Sequence, residues 1–571
     1  MLNIDYAEGL NVPAKISIGS IDDLDCTLII ARNSFPHLKM GDYFFSNEVD
    51  AFLNNPPNLI SLKSQRETFT LYNSERTGDS LIPEYVTTGS KPDNINGVDI
   101  SLSGLYTFFD GRSNFTASDS CIKKDITDCF IKTEFNINGE LYTFSVEHDY
   151  SFSKKIDTTT IVEDAFIRIR KSEGDVSLDA IKCIIKKTRI LFSLMLGFDL
   201  SIRKTWLIKN DGARCNSLYF HAPSKLEHPF ENSHDCFIFP AQLLTNDEWN
   251  KILTSTFNGD SSSTLSEFWV RLVSMFSYKG FWEYEILGVV SLLDAYSKKH
   301  HETHTNKTIS LRKFDKLKDS IKNTLREYKK SLPADKKHTD SCEVIDNMIL
   351  QVGYIKNTNA QDFRLILKLL MGTISVDIQN LISFKDEDFE TIIKIRNAAA
   401  HGAPIDEEIM ANLQRVMIVK EKIKFLLLYL FFKSMSFSDK DFIKLCRHSF
   451  SKIKFGAALD SYTLNMMSGT GIALNIDNED IAKAKKTSKV NTVIIHHVKS
   501  QKCEIGNNTI QEIMDSMYSS NKGKFINFVD LIYANYLIDE IFSVQYVSSL
   551  FLCAEDVKIE LHGAYLIQIN D

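Results

Sequence analysis

Residues 130–147 read FIKTEFNINGELYTFSVE. The two halves of this stretch, Phe130 to Ile137 and Glu140 to Glu147, are typical of strands because β-branched and aromatic residues recur in them. Between the halves stand Asn138 and Gly139, and both residue types tolerate the positive φ angles of a type I′ turn. The stretch therefore predicts a β-hairpin.

The chain around this hairpin, from residue 1 to about 250, is also mainly β in pattern. Ala14 to Ile21 alternates polar and apolar side chains with the period of a half-buried strand. Further predicted strands are Leu59–Ser64, Thr68–Tyr72, Val98–Phe109, Ser201–Ile208 and Asn216–His221. One predicted helix interrupts them at about Leu178 to Leu196, with Ser177 as a possible N-cap and Gly197 at its end.

The hydrophobic period becomes helical from about Ser263 onward. The predicted helices are Leu265–Tyr278, Phe281–Lys299, Leu311–Leu332, Asp340–Val352, Asp362–Met371, Asp386–His401 and Asp406–Lys433. After about Phe450 the pattern is mixed, with strands at Val490–His496 and Ala564–Ile569 and helices near Ile510–Met517 and Phe528–Phe542.

These patterns together predict an α+β multidomain protein. A β-rich N-terminal lobe would span residues 1–260, an all-α helical domain 261–450, and a small mixed α/β C-terminal lobe 451–571. The run Ser261-Ser262-Ser263 lies where the period changes and is interpreted as a linker.

Composition describes an ordinary soluble protein. The 571 residues are 43% hydrophobic and 25% charged, with a formal net charge of −8. Ten scattered cysteines without a C-x-x-C motif favour reduced thiols, so we expect a cytoplasmic protein. The N-terminus lacks the features of a signal peptide, and the longest apolar run, Phe425–Phe432, is far shorter than the about 20 residues of a membrane span. No membrane partner is expected.

The stretch from Lys394 to Gly402, KIRNAAAHG, carries the most informative chemistry. At about 100° per residue, Arg396, Asn397 and His401 share one side of a helix. The alanines between them leave a small surface that another helix or a polynucleotide backbone can approach closely. Gly402 would cap the helix, so that His401 lies in the last turn, where the helix dipole favours a cation.

An arginine and a histidine, without paired carboxylates or metal ligands, suit the cleavage of RNA. The RNA 2′-hydroxyl is an internal nucleophile, a histidine with a pKa of about 6.5 can accept or donate a proton, and a guanidinium can stabilise charge on the phosphate. The reaction needs both a base and an acid, whereas each chain offers one such histidine. A two-fold dimer, or a higher homo-oligomer, would bring two together. No cofactor is required.

The R-N-x-x-x-H stretch of Arg396, Asn397 and His401, on a long helix of an all-α domain, resembles the signature of HEPN ribonucleases. With the long β-rich N-terminal lobe, including the stretch from Gly97 to Leu105, the chain resembles the ApeA-type antiphage proteins. The resemblance implies a metal-independent endoribonuclease effector of abortive infection. The enzyme would be held inactive until the N-terminal lobe, residues 1–260, senses a phage-derived trigger, expected to be a protein, and would then stop translation by cleaving RNA, with tRNA as the expected target.

Site roles follow from the same resemblance. It implies that His401 is the catalytic acid or base, Arg396 the phosphate-binding group and Asn397 an orienting group. Family members often carry an acidic residue on an earlier helix, and Asp294 and Glu285 are both possible acidic helpers, between which spacing does not choose. An alternative is a non-catalytic HEPN module that binds nucleic acid or a partner protein.

The segment from Lys298 to Lys337 contains 13 basic residues and five acidic ones, a local charge of +8. Leu311, Phe314, Leu317, Ile321 and Leu325 are expected to form an inward apolar stripe beneath an outer basic face. Next to a ribonuclease site such a face could follow RNA phosphates. The predicted RNA-binding residues are Lys313, Lys316, Lys322, Arg326 and Lys329.

A metal site is not expected. His496, His497 and Cys503 could belong to a zinc site, but no second Cys/His pair stands at ligand spacing, so the sequence leaves this open.

Overall fold

The computed structural model describes most of the chain. The described residues are 9–30, 34–41, 47–109, 115–118, 121–124, 130–154, 159–222, 230–258, 264–301, 309–333, 339–355, 363–401, 403–485, 492–500, 502–505, 541–554 and 557–569. They form a mixed α+β protein with a large N-terminal antiparallel sheet, a long helical region and a small C-terminal sheet.

The described N-terminal residues form a 14-stranded sheet and a separate two-stranded hairpin. The strands of the large sheet are β1 Leu10–Ile18, β2 Ile21–Ile30, β3 His37–Met40, β4 Leu59–Ser64, β5 Thr68–Tyr72, β6 Glu75–Thr77, β7 Ser80–Ile82, β8 Tyr85–Thr88, β9 Ile95–Leu102, β12 Ile131–Ile137, β13 Glu140–Lys154, β14 Thr159–Lys171, β15 Ile202–Lys209 and β16 Arg214–Tyr219. The separate hairpin consists of β10 Phe115–Ser118 and β11 Cys121–Lys124. The fourteen strands of the large sheet follow one another in the order β12-β13-β14-β9-β15-β16-β8-β5-β4-β1-β2-β3-β7-β6.

The hairpin predicted from residues 130–147 is confirmed. β12 and β13 pair antiparallel with Ile137 opposite Glu140, so the connecting loop has two residues. Asn138 and Gly139 both have positive φ, 51° and 85°, as the type I′ turn requires.

The centre of this sheet holds a buried carboxylate beneath two arginines. Asp99 on β9 is fully buried and lies opposite Arg168 on β14. Its Oδ1 and Oδ2 each accept a 2.8 Å hydrogen bond from Arg168, and Oδ2 accepts another, of 2.6 Å, from Arg214 Nε. The Arg214 guanidinium lies 4.1 Å from the ring centroids of both Phe166 and Trp206. This network of charged side chains therefore joins strands β9, β14 and β16.

The described residues also form seventeen α-helices and two short 3-10 helices. They are α1 Asn47–Asn54, α2 Leu105–Phe108, α3 Leu178–Leu196, α4 Asn246–Asn258, α5 Thr264–Phe276, α6 Trp282–His301, α7 Leu311–Ser331, α8 Thr339–Tyr354, α9 Phe363–Gly372, α10 Val376–Ile382, α11 Asp386–His401, α12 Glu407–Met410, α13 Leu413–Ser434, α14 Asp439–Cys446, α15 Lys452–Gly456, α16 Ser461–Met467 and α17 Asn478–Ala484, with 3-10 turns at Ser233–Asp235 and Ala241–Leu243.

Helix α3 confirms its sequence prediction at both ends. The Ser177 side chain accepts a hydrogen bond from the Ala180 backbone N–H, and Gly197 ends the helix in the left-handed conformation with φ 73°. The expectation that one helix interrupts the N-terminal region is wrong, however, because α1, α2 and α4 also lie there. Val98–Phe109 is likewise two elements, since β9 ends at Leu102 and α2 follows a left-handed Gly104.

The prediction of one long helix over Asp406–Lys433 is also wrong, because this segment forms two helices, α12 and α13. The Asp406 side chain caps α12 by accepting from the Glu408 N–H, and the Asn412 side chain caps α13 by accepting from the Arg415 N–H. A capping residue that satisfies the first free N–H groups of a new helix favours a break in the old one. The other six predicted helices agree with α5 to α9 and α11 to within three residues.

The described C-terminal residues form a five-stranded mixed sheet. Its strands are β17 Gly471–Asn475, β18 Val493–His497, β19 Lys502–Ile505, β20 Ile541–Ala554 and β21 Val557–Ile569, in the order β17-β20-β21-β18-β19. The predicted helix Phe528–Phe542 is wrong at its end, since Ile541 and Phe542 belong to β20. Its remainder, the predicted helix at Ile510–Met517 and the Ser261–Ser263 linker lie outside the described residues.

Buried apolar residues fall into two clusters within the described part of the chain. One runs from Val12 to Ala457 and includes both the large sheet and the helical region, and the other lies in the C-terminal sheet between Leu474 and Leu566. A domain boundary near residues 260 and 261 stays a prediction. Among the described helices no single one is long and apolar enough to cross a membrane, although α9 and α10, bent by 119°, pass that test as a pair on length and composition.

Candidate functional site

Helix α11 carries the predicted RNA-cleaving residues. It starts with three acidic residues, Asp386, Glu387 and Asp388, which favour a helix N-terminus electrostatically. Ile392 and Ile395 are buried and fix one face of the helix against the core, where α11 packs on α6 and α13. Arg396 and Asn397 therefore lie near the C-terminal end of a helix that packs against α6 and α13.

Arg396 is held by an acidic residue of α6. Its Nε donates a hydrogen bond of 3.2 Å to Asp294 Oδ2, and the exposed fractions of the two side chains are 26% and 14%. The guanidinium lies 5.7 Å from the ring centroid of Phe363, and its Nη1 donates to Asn397 Oδ1 at 3.3 Å. Arg396 is thus oriented on three sides, while about a quarter of its side chain stays exposed.

The sequence left Asp294 and Glu285 as equal candidates, and the structure separates them. Asp294 contacts Arg396, whereas Glu285 accepts hydrogen bonds from Lys420 Nζ at 2.9 Å and Lys424 Nζ at 2.6 Å. Glu285 therefore joins α6 to α13, and Asp294 is the carboxylate at the site.

Lys298 was missed by the sequence reasoning as a member of this cluster. Its Nζ donates at 2.9 Å to the same Asp294 Oδ2 that accepts from Arg396. Asp294 Oδ1 is buried and has no hydrogen-bond partner among the described residues. The spacing of Asp294 and Lys298, four residues apart on a predicted helix, is a signal that could have found this pair.

His401 is the last residue of α11. Its side chain and the predicted Gly402 cap lie outside the described part of the structure. A backbone hydrogen bond joins Ala403 to the last turn of α11, since the Ala403 N–H donates to the Ala398 carbonyl at 3.0 Å. The proximity of His401 to Arg396 and Asn397 therefore stays a prediction from helical spacing.

The predicted RNA-binding residues lie on a different part of the helical region. Helix α7 pairs antiparallel with α8, through Lys329 Nζ to Asp346 Oδ2 at 2.5 Å and Lys318 Nζ to the Gly353 carbonyl at 2.8 Å. Of the five residues, Lys313, Lys316 and Arg326 are exposed, and Lys322 and Lys329 are half-buried. A basic surface exists on this hairpin, while Arg396 belongs to the group formed by α6, α11 and α13.

The expected inward stripe of α7 is wrong. Every residue of α7 is described, and none of them is buried. Leu311, Leu317 and Ile321 have exposed fractions of 73%, 49% and 37%. Amphipathic spacing indicates an apolar face but does not determine whether the fold covers it.

The histidines of the C-terminal sheet lie on β18. His496 pairs in register with Cys503 on β19, and His497 Nε2 lies 3.6 Å from Glu504 Oε1. Within the described ranges, no group of three His, Cys, Asp or Glu side chains is arranged to hold a metal ion.

The buried ion pairs between α6 and α13 predict a loss of stability in acid. Burial raises the pKa of the Glu285 carboxyl, but hydrogen bonds from Lys420 and Lys424 outweigh burial and hold the pKa below its usual value. A carboxylate whose pKa is lowered on folding stabilises the fold above its unfolded pKa of about 4.3 and loses that contribution as the pH falls. We expect the free energy of unfolding, measured with urea, to decrease below about pH 5.

The matched variant is Glu285→Gln, which keeps the shape and removes the titrating group. Its unfolding free energy should depend less on pH than that of the wild type over the same acid range. An identical pH dependence would contradict a contribution from Glu285.

Comparison of the chain with protein-family models, curated proteins and solved structures gave no match. The resemblance to HEPN ribonucleases therefore continues to depend on the residues of α11 themselves.

Proposed function

We propose that the protein is an RNA endonuclease of antiviral defence whose active site is built on the C-terminal end of α11. The observation that carries the proposal is Arg396, which Asp294 holds at the end of the helix that closes with His401. An oriented and permanently charged guanidinium on a partly exposed side chain suits a phosphate group whose charge increases during reaction. Asn397, exposed beside it, supplies a further polar group.

The proposed reaction begins when a base removes the proton of an RNA 2′-hydroxyl. The 2′-oxygen then forms a bond to the adjacent phosphorus, and the bond from phosphorus to the 5′-oxygen breaks. An acid gives a proton to the leaving 5′-oxygen, so the products are a 2′,3′-cyclic phosphate and a 5′-hydroxyl. DNA lacks the 2′-hydroxyl, so the proposed activity is specific for RNA.

The base and acid are the His401 side chains of two copies of the chain in this proposal. A two-fold arrangement places the ends of two α11 helices in one cleft and supplies two histidines and two arginines. Each Arg396 stabilises the negative charge on the non-bridging phosphate oxygens, and the reaction requires no cofactor.

The biological setting of the proposal follows from the resemblance to ApeA-type proteins. The enzyme would act in the cytoplasm on RNA, with tRNA as the proposed target, after the N-terminal region senses a phage-derived trigger. The resulting stop in translation would end the infection.

The test is His401→Ala, with His562→Ala, an exposed histidine of β21, as the matched control. RNA ends are sequenced after expression of each variant, with and without phage. We expect new ends with 2′,3′-cyclic phosphate and 5′-hydroxyl groups for the wild type and the control, and their loss in His401→Ala. General acid–base catalysis contributes about 10²- to 10⁴-fold, so the loss should be nearly complete. Unchanged ends in His401→Ala, or RNA binding without cleavage in every condition, would favour a non-catalytic module.

A further inference from the structure

A cavity of about 660 Å³ lies between α5 and α6. Its volume is within the usual range of sites for small molecules, about 300–1,000 Å³. Nothing in the proposed cleavage step uses this cavity.

The floor of the cavity is apolar and aromatic. Phe268 of α5 and Tyr296 of α6 line it, with their ring centroids 5.6 Å apart and an interplanar angle of 52°. Leu292 is beside them, and all three side chains are largely buried. Burial raises the pKa of the Tyr296 hydroxyl to about 12, so the ring is neutral at physiological pH. Such a floor favours a flat, uncharged group.

The mouth of the cavity is basic. Among the described residues, Arg271, Lys298 and Lys299 line it, against the single carboxylate of Glu267. Arg271 and Lys299 are exposed, and Lys298 is half-buried with its Nζ 2.9 Å from Asp294 Oδ2. Cations that outnumber acids at an opening favour an anionic group there.

One residue of the mouth also contacts the candidate site. Lys298 lines the cavity and donates to Asp294 Oδ2, the same oxygen that accepts from Arg396 Nε. One carboxylate oxygen therefore links the cavity mouth to the arginine proposed to bind the scissile phosphate.

We infer that this cavity binds a nucleoside monophosphate unit. The base packs on the Phe268 and Tyr296 rings, since bases stack on aromatic side chains whatever their sequence, and the phosphate lies between Arg271 and Lys298. The same chemistry is offered by a free nucleotide and by a nucleotide within RNA. The assignment to substrate RNA rests on the proposed function, and there the cavity would fix the nucleotide next to the cleaved bond.

The test uses Ala295→Trp, because Ala295 is an exposed residue of α6 that lines the cavity, and an indole there fills it. Ser255→Trp, at an exposed position of α4, is the matched control. The four nucleoside 5′-monophosphates, inorganic phosphate and the four nucleosides are titrated calorimetrically into each purified full-length protein. We expect at least one monophosphate to bind the wild type and the control, and to bind Ala295→Trp at least about 10-fold more weakly.

Three results would overturn the inference. They are no binding of any monophosphate, unchanged binding in Ala295→Trp, or inorganic phosphate binding as tightly as the monophosphates, since the apolar floor would then contribute nothing. Circular dichroism checks that Ala295→Trp is folded, and a Lys298→Ala variant, also expected to weaken monophosphate binding, serves as the second test if it is not.

Competition with a short single-stranded RNA distinguishes the two sources. Displacement of the monophosphate by RNA supports a substrate subsite, and continued monophosphate binding in excess RNA supports a site for a free nucleotide. These binding measurements do not require cleavage. Loss of the proposed ribonuclease activity and loss of the proposed cavity site are therefore separate results.

Discussion

Arg396→Ala is expected to lower RNA cleavage about 100- to 1,000-fold, the usual effect of removing one group that stabilises transition-state charge. The fold should be retained, because Asp294 keeps its hydrogen bond from Lys298 when Arg396 is lost. The measurement is the rate at which fragments accumulate from total tRNA, under the condition in which the wild type cleaves. Arg396→Lys should give an intermediate rate, since it keeps the charge but loses the planar guanidinium.

Arg364→Ala is the matched control for this prediction. Arg364 lies on the neighbouring helix α9 and pairs with Glu390 of α11, with Nη2 and Oε1 2.6 Å apart, and its side chain is about half exposed. Its loss should leave the cleavage rate unchanged. If Arg396→Ala instead cleaves at the wild-type rate, Arg396 serves only to pair with Asp294 and the active site lies elsewhere.

The largest expected effect on stability comes from Asp99→Ala. This change removes the acceptor of three hydrogen bonds from Arg168 and Arg214 and leaves two guanidinium groups in a mostly buried part of the sheet. Breaking such a buried pair on one side costs about 3–5 kcal/mol. We expect about 3 kcal/mol, because Glu147 and Asp149 still pair with Arg168 and Arg214, and guanidinium chloride unfolding measures the change.

An exposed aspartate at the start of the same region supplies the comparison. Asp93→Ala should change the unfolding free energy by no more than about 0.5 kcal/mol. A loss below about 1 kcal/mol in Asp99→Ala would mean that Glu147 and Asp149 satisfy both arginines without Asp99.

The elements that the sequence predicted well are those whose ends have a local chemical cause. Ser177 and Gly197 define α3, and Asn138 and Gly139 define the β12–β13 turn, because each residue acts within a few positions of itself. The break at Asn412 was missed since its side chain caps α13 in competition with an otherwise continuous helical pattern. The exposed face of α7 was missed because its covering depends on distant parts of the chain.

The candidate site was likewise predictable from the sequence only in part. Arg396 and Asn397 stand next to each other in sequence, so their shared side of α11 followed from helical spacing. The choice of Asp294 over Glu285 depends on how α6 packs against α11 and α13, and spacing along the chain contains no such information. The cavity between α5 and α6 also depends on how helices pack together, so the sequence did not predict it.

The two separate clusters of buried apolar residues have a consequence for how the protein melts. Each cluster is a cooperative unit if few apolar contacts join it to the other, so heating should produce two heat-absorption peaks in a calorimeter rather than one. The C-terminal sheet, with the smaller cluster, is expected to give the smaller peak, since melting enthalpy increases with the number of residues involved. A single melting temperature is therefore an incomplete measure of stability for this protein, and each substitution should be assigned to the peak that it moves.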